Sequence, residues 1–133
     1  LSNVLEALGT DLSSFFKEEK NEQIVFTPKD YFHGQYDELK LRMEWIVPNA
    51  QKNSMEPVVF TFLQDGYTKD STPYEGEEFG YVLEGSLELK IADKVYSLEE
   101  GDTFYLFADQ SHCIRNINNG ISKLLWVTNP PNF

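Results

Sequence analysis

The sequence predicts an all-β antiparallel sandwich or barrel preceded by a short helical segment. Three observations carry that reading. Runs rich in Val, Ile, Phe, Tyr and Leu are short, they recur at near-regular intervals, and turn residues rather than helices separate them.

Residues 1–16 are predicted to form two short helices. Leu1, Val4, Leu5 and Leu8 fall on one face at spacings of three and four, and Gly9 ends that helix. Thr10 or Asp11 caps the second, whose apolar side is Leu12, Phe15 and Phe16. Two such faces with nothing nearby to cover them need a partner. Residues 17–23 are charged, polar and aperiodic, as in a linker or a frayed helix end. Strands are predicted over 24–26, 39–47, 58–63, 79–83, 86–91, 94–98, 103–107, 112–117 and 121–127. Pro48-Asn49, Glu84-Gly85, Ala92-Asp93, Glu100-Gly101-Asp102 and Asn118-Asn119-Gly120 supply turns.

A chain of 133 residues suits one domain with an appended segment, and its core needs no disulfide or metal to hold it. With 11 Lys+Arg against 22 Asp+Glu, the net charge of −11 opposes any grip on a polyanion. This segment is therefore expected to bind neither DNA nor an anionic membrane surface. No stretch approaches the ~20 apolar residues that span a bilayer. The lone Cys113 cannot close an internal disulfide, which fits a reducing compartment, and a cytoplasmic location is expected.

Two spaced patterns go beyond generic β structure. Gly66 is followed by Thr72-Pro73-Tyr74, Glu78 and Gly85; further on, Gly101 is followed by Phe107, Asp109, His112 and Asn116. Over roughly residues 55–128 these resemble the two motifs of the cupin family, Gly, His-x-His, Glu, Gly and then Gly, Pro, Gly, His, Asn. The resemblance implies a double-stranded β-helix, or jelly-roll, barrel over 24–133. Alternation along strands would let Thr72, Tyr74 and Glu78 face one interior, with His112 entering from the other half of the sequence. In metal-dependent cupins those four positions carry three imidazoles and one carboxylate, a set suited to Fe, Mn, Ni or Zn. Here Thr72 and Tyr74 replace both histidines of the first motif. Glu78 and His112 remain as ordinary donors, short of the roughly three protein ligands that a catalytic ion needs. No cofactor is implied, and the domain is not expected to be an enzyme. The alternative is a cupin enzyme with a degenerate metal site whose residual ligands are Glu78 and His112.

At the front end, Leu5-Glu6-Ala7-Leu8-Gly9 with Asp11-Leu12-Ser13-Ser14-Phe15-Phe16 resembles the last helices of a lambda-repressor (XRE) type helix-turn-helix domain. Bacterial regulators of one common architecture place such a domain before a cupin. That resemblance assigns 1–23 to the end of a helix-turn-helix domain plus linker, and 24–133 to a ligand-sensing cupin. The opening at Leu1, in mid-pattern and without Met, reads as the stub of a longer chain, and Val127–Phe133 resembles the closing segment of these regulators.

The function so implied is transcription regulation: a small-molecule sensor in a homodimer that reaches DNA only through an N-terminal domain. Such regulators sense small metabolites, including polyamines and amino acids. Thr72, Tyr74, Glu78 and His112 are the expected hydrogen-bonding and charge-pairing groups, with Tyr81 and Trp126 as walls. Glu78 inside a barrel needs a cation, a hydroxyl such as Tyr74, or His112 beside it. Between Asp70 and Asp102 there are ten acids and two bases, read either as a solvated surface or as a mouth that draws cations. Glu75 and Glu77 are expected at the rim and His33 in a loop. Cys113, next to His112, should point to the opposite face, which argues against a catalytic or redox role.

Overall fold

A computed structural model describes residues 23–133, and the helices and linker expected over 1–22 lie outside the described residues. Nine strands follow among the described residues: β1 (Phe32–Tyr36), β2 (Leu41–Trp45), β3 (Glu56–Phe62), β4 (Glu77–Glu84), β5 (Ser86–Ile91), β6 (Lys94–Glu99), β7 (Thr103–Phe107), β8 (His112–Asn116) and β9 (Ser122–Asn129). They form a six-stranded sheet in the order β1-β2-β3-β9-β4-β7 and a three-stranded sheet in the order β6-β5-β8. Every pairing is antiparallel. The predicted all-β class is therefore the observed one.

Period-two burial explains why these segments are strands. In β3 and β9 every second residue is buried, so Val58, Phe60 and Phe62 lie beside Leu124 and Trp126 on the inner face of one sheet. The small sheet adds Leu87, Leu89, Leu98 and Ile114 to the same cluster. The two halves are tied by polar contacts that the second motif supplies. The buried Asn116 amide donates to the Phe62, Leu63 and Gly120 carbonyls, and its Oδ1 accepts from Ser122 Oγ and the Asn118 N–H.

Two expectations need correction. Residues 24–26 form no strand: Ile24 and Val25 are among the most exposed apolar side chains, because no neighbouring strand offers them a ladder. The strand at that end is β1, whose Phe-His-Gly-Gln-Tyr sequence lacks an alternating apolar face because it is an edge strand with little burial on either side. His33 consequently lies in a strand rather than a loop, exposed, 3.7 Å from Glu44.

Candidate functional site

Glu78 lies on β4 at an inward position and is 2% exposed. Its two oxygens are held by three donors on three segments. Oε1 accepts from His112 Nε2 at 2.9 Å and from Trp126 Nε1 at 2.8 Å; Oε2 accepts from the Tyr74 hydroxyl at 2.6 Å. His112 opens β8 of the small sheet and Trp126 sits in β9 of the large one, so the carboxylate bridges the two sheets.

The second ring nitrogen of His112 also faces acceptors. Nδ1 lies 2.9 Å from Ser71 Oγ and 3.2 Å from the Gln110 carbonyl oxygen. An imidazole with an acceptor at each nitrogen is suited to its doubly protonated form. Burial pushes the His112 pKa down, but the hydrogen bond and charge of Glu78 and the Gln110 carbonyl outweigh it and leave the pKa raised. Burial likewise pushes the Glu78 carboxyl up, and the His112 and Tyr74 hydrogen bonds with the imidazolium charge and the Trp126 N–H hold it below its usual value. The Tyr74 phenol is driven up by burial and then by the adjacent carboxylate, so it stays a neutral donor. The raised His112 pKa and lowered Glu78 pKa favour an imidazolium–carboxylate pair, with a phenol and an indole as further donors.

This pair forms the floor of a cavity of about 270 Å³. Leu41, Met43, Phe60, Trp126 and Phe133 supply apolar walls, Ser71 adjoins His112, and the further polar lining includes Tyr36, Lys69 and Asn132. The Phe60, Trp126 and Phe133 rings are mutually packed, with centroids 5.0, 5.1 and 5.3 Å apart.

The geometry brings together four of the six expected site residues: Tyr74, Glu78, His112 and Trp126. Thr72 is exposed and absent from the lining, and Ser71 stands beside His112 in its place. The expected in-and-out alternation fails there because residues 68–76 form no strand; residues 68–71 run along the edge of β8, joined by Thr68 N–H to Ile114 O and Ser71 N–H to His112 O, each 2.8 Å, and Tyr74 N–H turns to Ala108 O. Tyr81 is 40% exposed, because it sits three residues from Glu78 on the same strand and so faces outward. The acidic mouth is not there either. The lining holds one carboxylate, Glu78, and one ammonium, Lys69, while Glu88 pairs with Arg115 and Tyr105 donates to Glu77 outside the cavity. Cys113 makes its contacts with Asp70, away from the cavity, and burial followed by that hydrogen bond raises its thiol pKa. Sequence reasoning missed the side contributed by Tyr36, Lys69, Asn132 and Phe133, since neither motif includes them; the resemblance of Val127–Phe133 to the closing segment of such regulators was the one available signal.

The donor set does not fit a transition ion. Among the described residues no three His, Cys, Asp or Glu side chains converge. Glu78 and His112 are already bonded to each other, and Tyr74 holds its proton. No helix among the described residues is long and apolar enough to cross a membrane.

Comparison with known proteins gives three findings. Residues 59–128 match the family model described as "Cupin domain". Over 137 aligned residues spanning the whole chain, 28% are identical to the HTH-type transcriptional regulator PuuR of Escherichia coli (strain K12), of which 72% is covered. Among solved structures, the cupin domain of an XRE family transcriptional regulator from Enterobacter cloacae is similar with a TM-score of 0.62 at 19% identity, covering 70% of this chain and 99% of that one. KdgF from Halomonas sp. is similar with a TM-score of 0.70 at 14% identity, covering 84% and 96%. At those identities the two structures speak to fold alone.

Proposed function

The chain belongs to the cupin domain family, and we propose that it is the effector-sensing part of a DNA-binding transcriptional regulator, not an enzyme, taking a small cationic molecule into the cavity above Glu78. The observation that carries this reading is a buried carboxylate at the floor of an aromatic-walled cavity, in a chain that aligns from end to end with a regulator. Aromatic faces and a desolvated carboxylate together favour an ammonium head, and the apolar walls favour a hydrocarbon body. Among the described residues Oε2 of Glu78 receives one donor, Tyr74, so it retains capacity to accept a second. An ammonium arriving there meets His112 already charged. Like charges at that separation disfavour each other, so the effector enters as the His112 proton leaves.

The proposal includes the cytoplasmic homodimer expected of such regulators, whose DNA-reading helices must match half-sites about one duplex turn apart. DNA contact falls to an N-terminal helix-turn-helix domain, because the net charge of −11 on these 133 residues opposes it here. Effector binding between the two sheets would shift a pre-existing equilibrium between dimer arrangements.

Calorimetric titration with putrescine, spermidine and basic amino acids tests the reading. Saturable heat from at least one is expected, with Glu78→Gln weakening it roughly tenfold or more, equivalent to about 1.4 kcal/mol. No heat from any of them, or binding that Glu78→Gln leaves unchanged, contradicts it.

A further inference from the structure

A second buried carboxylate stands two strands away from the floor of the cavity. Glu56 opens β3, is 0% exposed, and shares a row with Glu78: in the sheet register both pair with Thr128 of β9, one from each side. Its contacts are of another kind. Oε2 accepts from the Trp45 indole N–H at 2.8 Å, and Oε1 accepts from the backbone N–H groups of Asn132 and Phe133 at 2.9 and 2.8 Å. One side chain therefore ties the β1–β2 hairpin to the segment after β9.

Residues 130–133 form no strand, so their backbone amides have no ladder to hold them. A charged acceptor makes the stronger class of hydrogen bond, and here it serves two successive amides. The fixed segment seats the Phe133 ring against Phe60 and Trp126, where it closes one side of the cavity. We infer that Glu56 is the positioning residue of the effector site: by holding the 132–133 amides it sets Phe133 as the end wall, and that wall limits the length of the hydrocarbon body the cavity accepts. The inference rests on the effector reading of the same cavity and adds to it a size filter outside the two sequence motifs.

Glutamine cannot replace Glu56 in this role. It offers one carbonyl oxygen where the carboxylate offers two, and its amide group is a donor, so either Trp45 or the two backbone amides lose their acceptor. Phe133→Ala removes the ring and leaves the backbone bonds in place.

Two measurements on the full chain test the inference. Amide hydrogen exchange at Asn132 and Phe133 is expected to be slowed in the wild type and accelerated roughly tenfold or more in Glu56→Gln, while Leu87, Leu89 and Ile114 keep their protection. Titration with straight-chain primary amines from propylamine to decylamine is expected to show a length cut-off in the wild type. Phe133→Ala should move that cut-off up by about two or three methylenes, and Glu56→Gln should blur it, as a wall is removed or loosened. Equal exchange in wild type and Glu56→Gln, or one cut-off shared by all three proteins, overturns the inference and leaves the effector site standing. If no amine binds the wild type, the cationic-effector reading fails and the size filter fails with it.

Discussion

At the scale of single residues, the Glu78–His112 pair makes the fold and the site depend on pH together. His112 has a pKa raised above its ordinary 6.5, so its contribution to stability is full below that value and is lost as the pH rises through the raised one. Glu78 has a pKa lowered from 4.5, so its contribution is full above that value and is lost as the pH falls through the lowered one. The window in which both act runs between 4.5 and 6.5. Removing one partner of a buried pair typically costs about 3–5 kcal/mol. The urea-midpoint difference between wild type and His112→Gln should therefore be largest in that window and shrink toward alkaline pH. A difference that stays constant from about pH 5 to about pH 9 contradicts the charged-pair assignment. The sequence made Glu78, His112 and Trp126 legible through spacing and type. It did not reveal Ser71, because choosing Ser71 over Thr72 depends on residues 68–71 following β8 without strand geometry of their own. It did not reveal Glu56 either, since its partners include backbone amides 76 and 77 residues away.

At the scale of elements, strand parity decides which side chains reach the cavity. On β4, Glu78, Gly80 and Val82 face inward, and Tyr81 and Leu83 are exposed. The strands from β2 to β9 were legible within a residue or two of their ends. Edge strand β1 was not, because its Phe-His-Gly-Gln-Tyr sequence carries no apolar run or alternation and buries little. Turns between strands hold the parity, and two glycines there separate steric from conformational demands. Gly85 joins β4 to β5 at φ +83°, and a Cβ on it would lie 2.2 Å from Ser122 Oγ and 2.9 Å from Ser122 Cα. Gly101, between β6 and β7, has φ +90° and open space where a Cβ would go. Gly101→Ala should thus cost only backbone strain, about 1–2 kcal/mol. Gly85→Ala should cost clearly more, because it also displaces the Ser122 hydroxyl from the Ser86 N–H and the Asn116 amide oxygen. Equal losses in equilibrium denaturation would mean that the Ser122 contact places no demand on the turn.

At the scale of the whole molecule, the cavity lies where the two sheets meet, and one polar contact spans them at its floor. Glu78 belongs to the six-stranded sheet and His112 to the three-stranded one. On the proposed reading, a cation at Oε2 that displaces the His112 proton would weaken the bond between the halves, and so let occupancy be reported elsewhere. The resemblance in the sequence pointed to a cupin, and the loss of its two histidines pointed away from a metal; the physical consequence, a contact between the two retained groups Glu78 and His112, emerges only when both sheets are assembled. The imidazole nitrogens of His112 report on that pair directly. Nuclear magnetic resonance of the 15N-labelled ring, at a pH inside the window above, should show an imidazolium before putrescine is added. On titration it should convert to a neutral imidazole, saturating at the concentrations that saturate the calorimetric heat. A ring that stays fully protonated at saturation, or that never responds to any amine, would contradict the claim that Glu78 and His112 receive the effector.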